Sequence, residues 1–204
     1  MKTAVSTLAL ALALSAAGMA SAQQAGDWTV GVGFGWVEPQ SDTGVLAGAN
    51  TTIDGAGRPT ITAEYFIREN LGIEILAATP FEHTVTHAVL GDIATATHLP
   101  PTISLNYHFP TGGPLTPFVG AGINYTTFLD VDGVGALAGT NVEIEDSWGL
   151  ALHAGVDYQI SDTGSLRMDV RWIDIDADVT VNGAYVGTTE IDPLVFGVSY
   201  VFRF

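Results

Sequence analysis

The stretch Trp28-Thr29-Val30-Gly31-Val32-Gly33-Phe34-Gly35-Trp36-Val37 sets Trp28, Val30, Val32, Phe34 and Trp36 on one side of an extended chain. Thr29, Gly31, Gly33 and Gly35 fall on the other. A period of two is the signature of a β-strand, whose successive side chains point to opposite faces. The C-terminal stretch repeats the pattern: Leu194, Phe196, Val198, Tyr200, Phe202 and Phe204 oppose Val195, Gly197, Ser199, Val201 and Arg203. One face is bulky and apolar and the other is nearly bare. A strand crossing a lipid bilayer looks like this, because only every second residue meets acyl chains.

Working inward, the same reading gives six more strands: Thr60 to Ile67, Leu71 to Thr79, Thr102 to Phe109, Pro117 to Phe128, Trp148 to Gln159 and Leu166 to Ile175. The fold class is therefore all-β, an eight-stranded antiparallel transmembrane β-barrel. An even count returns both ends of the domain to one side. The connections alternate between short (68–70, 110–116, 160–165) and long (38–59, 80–101, 129–147, 176–192), as expected for periplasmic turns and extracellular loops. The Gly/Ala-rich parts of the first and third long loops are expected to be mobile.

Met1-Lys2, the apolar run Ala4 to Leu14 and the small residues Ala20-Ser21-Ala22 resemble an export leader with its cleavage site. That run is too short for the roughly 20 apolar residues of a membrane helix. Residues 1–22 are thus expected to be a cleavable signal peptide and 23–204 a single barrel domain. Export implies the outer membrane of a Gram-negative bacterium. With no cysteine, the chain cannot rely on disulfides even in the oxidising periplasm.

Lys2 is the only lysine, so beyond the leader five arginines face 22 acids, a net charge of −17. Nucleic acid is excluded as a partner, since it needs clustered cations. The chain is nevertheless 47% hydrophobic with 24 glycines and a mean hydropathy of +0.32. An ordinary soluble domain would not combine these with so little continuous apolar sequence. Aromatics cluster near strand ends: Trp28, Tyr65, Tyr107, Tyr158, Tyr200 and Phe204 at one level, and Trp36, Tyr125 and Trp148 at the other. Two interfacial girdles follow, since amphipathic rings prefer the headgroup region. The competing fold is a soluble lipid carrier of the lipocalin type, with its bulky face inward. A glycine-rich exterior suits such a carrier poorly.

Sorting the inward face by depth separates charge from grease. Glu64, Glu74, His108, Asp157, Arg167 and Arg203 lie near the periplasmic strand ends, with Asp169 and Arg171 slightly higher. Buried charges need partners, so Arg167, Arg171 and Arg203 are expected to bridge Glu64, Glu74, Asp157 and Asp169 as a lumen plug. Above them Val37, Leu76, Ala78, Ala151, Ile173, Ile175 and Val195, with Trp148 at the rim, are expected to form an apolar cup for a ligand. Eight strands enclose room for side chains or one small ligand, not a wide aqueous pore.

Longer motifs carry a family resemblance. Gly72-Ile73-Glu74-Ile75-Leu76-Ala77-Ala78-Thr79-Pro80-Phe81, Gly91-Asp92-Ile93-Ala94-Thr95 and His98-Leu99-Pro100-Pro101-Thr102 resemble the OmpW family, as do Pro117 to Phe128, Ser147-Trp148-Gly149, Gly155-Val156-Asp157-Tyr158, Trp172 to Asp176 and Pro193 to Phe204. The resemblance implies uptake of small hydrophobic molecules through a lumen with a lateral exit to the membrane. It also likens Tyr200, Phe202 and the terminal Phe204 to the signal read by the barrel assembly machinery. The alternative is a non-transporting surface barrel acting as adhesin, receptor or structural protein. Outer-membrane lipids, lipopolysaccharide and small hydrophobic solutes are the expected partners. Pro80, Pro100, Pro101 and Pro193 lack backbone donors and could interrupt pairing near the outer rim. His83, His87 and His98 share one long loop and read as solvent-exposed, with no serine beside them. The acids of the third loop match no defined calcium loop. No enzyme activity, metal or cofactor is expected.

Overall fold

In a computed structural model the described residues are 23–204, so the expected leader lies outside them. The strands, in chain order, are β1 (Trp28–Glu38), β2 (Val45–Leu46), β3 (Ala49–Ile53), β4 (Ala56–Arg68), β5 (Leu71–Ala78), β6 (Phe81–His87), β7 (Gly91–Leu99), β8 (Thr102–His108), β9 (Leu115–Gly133), β10 (Val142–Ile144), β11 (Ser147–Ser161), β12 (Gly164–Ile173), β13 (Asp176–Val181), β14 (Ala184–Glu190) and β15 (Leu194–Arg203). Eight of them close a barrel in the order β1-β4-β5-β8-β9-β11-β12-β15, every pair antiparallel, with β15 returning to β1.

The direction of each face decides against the lipocalin alternative. Val32, Phe34, Ile61, Ile75, Ile103, Ile123, Leu150, Leu152, Phe196 and Val198 are all exposed on the outside, whereas Thr29, Glu64, Ser104, Asn106 and Arg167 are buried within. An exterior of this composition is stable only against acyl chains. Small inward residues also let strands approach closely. A Cβ at Gly122 would collide with the backbone oxygen of Ile103 on the neighbouring β8, so only glycine fits there.

Several barrel strands outrun the 9–11 residues that cross a membrane: β9 has 19, β11 has 15 and β4 has 13. Their upper ends, with the long connections, build a second storey. There β6 pairs β3 and β7, β7 pairs the upper half of β9 from Leu99↔Thr127 to Ala94↔Gly133, and β10-β13-β14 form a small sheet. The first and third connections contribute β2, β3, a 3-10 turn at Gly135–Leu137 and β10 to this crown. The physical reason is that period-two alternation continues through them and gives the crown its own apolar interior. Leu46, Val85, Ile93, Ala94, Val142 and Val179 pack together at its centre.

Candidate functional site

The lower lumen is built around Arg167, which β12 aims across the bore. Its Nε and Nη2 donate to Asp157 at 2.7 and 2.9 Å, Nη1 to Glu74 at 2.7 Å and Nη2 to Glu64 at 3.5 Å. Arg171 Nη2 donates to the other oxygen of Glu74 at 2.9 Å. The guanidinium of Arg167 also lies over the ring of Phe118, 4.4 Å from its centroid. His108 Nε2 meets Glu64 at 2.9 Å and Asn106 Nδ2 donates to the same oxygen at 3.2 Å. One cation thus holds three carboxylates in a site where Arg167, Glu64 and Glu74 are all at most 3% exposed. Two small voids, of about 50 Å³ below and 30 Å³ above, are separated by Arg167, which lines both.

Two members of the expected plug stand apart from this cluster. Arg203 lines the lower void at the periplasmic mouth and donates to the Asp162 carbonyl at 3.3 Å. Asp169 lines the upper void, but among the described residues it makes no ion pair within 4 Å, since both nearby arginines are turned toward Glu74. Conversely His153, Phe66 and Phe118 fill the plug although the inward series first read from the sequence omits them. His153 shares parity with Ala151 and Asp157, so the alternation did mark it.

Above the plug the expected cup is a filled floor. Ala151, Ile173 and Ile175 pack with Ile191 and against Ile53, Phe128 and Val195. Val37, Ala56 and Phe81 pack against Ala78 and Val195. Leu76 borders the small upper void of the plug. Eight strands leave no spare width once such side chains are in place. Trp148 is not part of the lumen at all: it is 72% exposed and its ring lies 4.6 Å from Tyr125 on the outside. Its parity is that of Leu150 and Leu152, which face lipid.

The open space lies one storey higher, inside the crown. A cavity of about 160 Å³ is walled by Leu46, Val85, Ile93, Ala94, Ala96, Leu137, Val142, Val179 and Val186 and floored by Ile53, Phe128 and Ile191. None of the residues expected to form the cup lines it. Exposed Leu90 and Ala47 stand at its edge.

The three crown histidines line the same cavity and are buried, 3–5% exposed, not solvated. The strand Phe81-Glu82-His83-Thr84-Val85-Thr86-His87 explains this, since strict alternation turns Phe81, His83, Val85 and His87 inward. His87 Nε2 donates to the Leu46 carbonyl at 3.1 Å, and its Nδ1 accepts from the backbone amides of Val89 and Leu90. His83 Nδ1 donates to the Asp54 carbonyl at 2.6 Å. The rings of His83 and His98 stack, 5.0 Å apart and inclined by 14°, with Phe128 a further 5.8 Å beyond His98.

Burial pushes the His98 imidazole down to about 3, with the neighbouring His83 adding to the effect. Burial also lowers His83, outweighing the opposing pull of Asp54 and assisted by Arg58. Both rings are therefore neutral in the closed crown and chargeable once it opens. Their contribution to closure is complete above about 6.5 and declines as pH falls toward 3. Hydrogen exchange of β6 and β7, corrected for intrinsic rates, should accelerate about tenfold relative to β15 between pH 7 and pH 4. An unchanged ratio would refute this coupling.

Between β5 and β8 the ladder is interrupted. Its rungs stop at Leu76↔Thr102 and pairing of the same two chain segments resumes only at Phe81↔His98. Pro80, Pro100 and Pro101 lie in the break. Pro193 does not interrupt its ladder, because its carbonyl accepts from Ile173 at 3.3 Å.

Comparison with known proteins agrees with this architecture. The sequence profile of the OmpW family matches residues 24–204. Outer membrane protein W of Escherichia coli (strain K12) is 37% identical over 212 residues, spanning 100% of this chain and 99% of that one. The crystal structure of OprG from Pseudomonas aeruginosa superposes with a TM-score of 0.78 at 32% identity, covering 90% of this chain and 98% of that one. The solid-state NMR structure of AlkL in DMPC lipid bilayers gives 0.70 at 25% identity, covering 91% and 93%. With a lipid-facing exterior, a charged lumen and relatives of this kind along its whole barrel, the chain is a Gram-negative outer-membrane protein and belongs to the OmpW family.

Proposed function

We propose that the protein moves small hydrophobic molecules from the outer surface into the membrane, taking them into the crown cavity and releasing them sideways through the break between β5 and β8. The observation that carries this reading is the cavity itself: about 160 Å³ of space with almost wholly aliphatic and aromatic walls, above a lumen closed by buried ion pairs. Dry apolar cavities of roughly 150 Å³ take up benzene-sized molecules. The downward path would force an apolar solute past Arg167 and three carboxylates, stripping charges that depend on one another. The sideways path is opened by about four residues without rungs, roughly 13 Å of strand. On the lipid side below it lies a groove lined by Ile73, Pro101, Ile103, Tyr125 and Trp148.

The reading assigns the chain no catalytic step. It gives Tyr200, Phe202 and Phe204, which face outward along β15, to recognition by the barrel assembly machinery, and it makes lipopolysaccharide and outer-membrane lipid the surroundings of the crown and barrel. A lipopolysaccharide leaflet resists apolar solutes, so vesicles with that outer leaflet provide the test. Those containing the protein should admit radiolabelled toluene at least about tenfold faster than empty ones, and should not admit benzoate faster. Equal toluene rates would sink the transport reading in favour of a surface role such as adhesion.

A further inference from the structure

The cavity wall is not uniformly greasy, and an unpaired imidazole nitrogen buried beside it narrows the ligand. His83 is 5% exposed and its Nδ1 is committed to the Asp54 carbonyl, which can only accept. The proton is therefore on Nδ1, and Nε2 at the far edge of the ring carries a lone pair. That Nε2 is buried and has no hydrogen-bond partner. A buried acceptor left without a donor is costly, so such an atom beside a cavity invites a donor brought by the occupant.

We infer that the crown cavity selects single-ring aromatic alcohols of phenol type, whose hydroxyl donates to His83 Nε2 while the ring fills the apolar space. This rests on the transport reading and deepens it. The volume, about 160 Å³, suits one six-membered ring. Aromatic side chains for the ring to pack against are supplied by His98 and Phe128, both on the cavity wall. His98, stacked on His83, forms no hydrogen bond among the described residues, whereas the other polar groups of the wall are committed, His87 Nε2 to the Leu46 carbonyl and Thr189 Oγ1 to the Thr43 carbonyl, so the unpaired part of the wall is this stacked pair. The remaining wall would be indifferent to a hydroxyl, since Leu46, Val85, Ile93 and Val179 offer carbon alone. Charged relatives such as benzoate are rejected, because the cavity holds no cation to pair with them.

The test measures phenol and toluene binding to the full barrel in lipid nanodiscs by calorimetry, with an Ala96→Trp barrel as the blank for partition into lipid. His83→Leu should weaken phenol about tenfold more than it weakens toluene. In the native protein with nitrogen-15 histidine, phenol should shift the His83 Nε2 resonance and toluene should not; this arm stands even if the variant fails to fold. Equal effects of His83→Leu on the two ligands, or a silent Nε2 on adding phenol, would overturn the inference while toluene binding kept the transport reading intact. Binding of neither ligand by the native barrel would remove both.

Discussion

Replacing Arg167 with methionine should lower the unfolding free energy of the barrel by about 3–5 kcal/mol, the range for breaking a buried ion pair from one side. The side chain is 3% exposed and its three donor nitrogens reach Asp157, Glu74 and Glu64. Methionine fills a similar volume, so packing against Phe118 is largely kept and the loss is electrostatic. Urea unfolding in phospholipid vesicles, followed by tryptophan fluorescence, measures it. Arg171→Met is expected to cost less, because Arg171 meets only one oxygen of Glu74. Combining Arg167→Met with Glu64→Gln, Glu74→Gln and Asp157→Asn should recover most of the loss, since neutral amides cost less to bury than unpaired carboxylates. If Arg167→Met alone unfolds like the native barrel, the cluster is not what closes the lower lumen.

Filling the crown cavity should have the largest functional effect. Ala96 is 5% exposed, lies on β7 and lines the cavity. Ala96→Trp places an indole where the ligand would sit, and toluene admission into lipopolysaccharide-faced vesicles should drop at least about tenfold. The strain of crowding is about 1–3 kcal/mol, and most of it falls on crown strands, so the transmembrane barrel should still form. Ala154→Trp, the same change on the lipid face of β11, controls for a new tryptophan and should leave admission unaltered. Undiminished toluene admission by Ala96→Trp would mean that the solute takes another path.

Much of this molecule was legible without coordinates because its signals are local. The alternation Trp28 to Val37 named both faces of β1, and the same rule identified all eight barrel strands to within a few residues at most ends. It also gave Glu64, Glu74, Asp157, Arg167 and Arg171 the inward parity and common depth that bring them together. Parity went further than its first use: Phe81 to His87 alternates as strictly as any barrel strand, and His153 lies in register with Asp157. Trp148 shares the lipid-facing parity of Leu150, so its place outside the lumen was also readable.

What parity cannot supply is the distance between side chains that approach from separate strands. Arg203 points inward and donates to the Asp162 carbonyl, and Asp169 points inward while its arginines turn to Glu74. The sequence by itself determined the barrel, its lipid face and the charged bore, because each depends on which side of one strand a residue occupies. Only the tertiary structure decided that Ile173, Ile175 and Ala151 make a solid floor, and that the open space lies above them among His83, Val85, Ala96 and Val179. A void is the volume left over when strands far apart in the chain have packed, and no single strand contains that information.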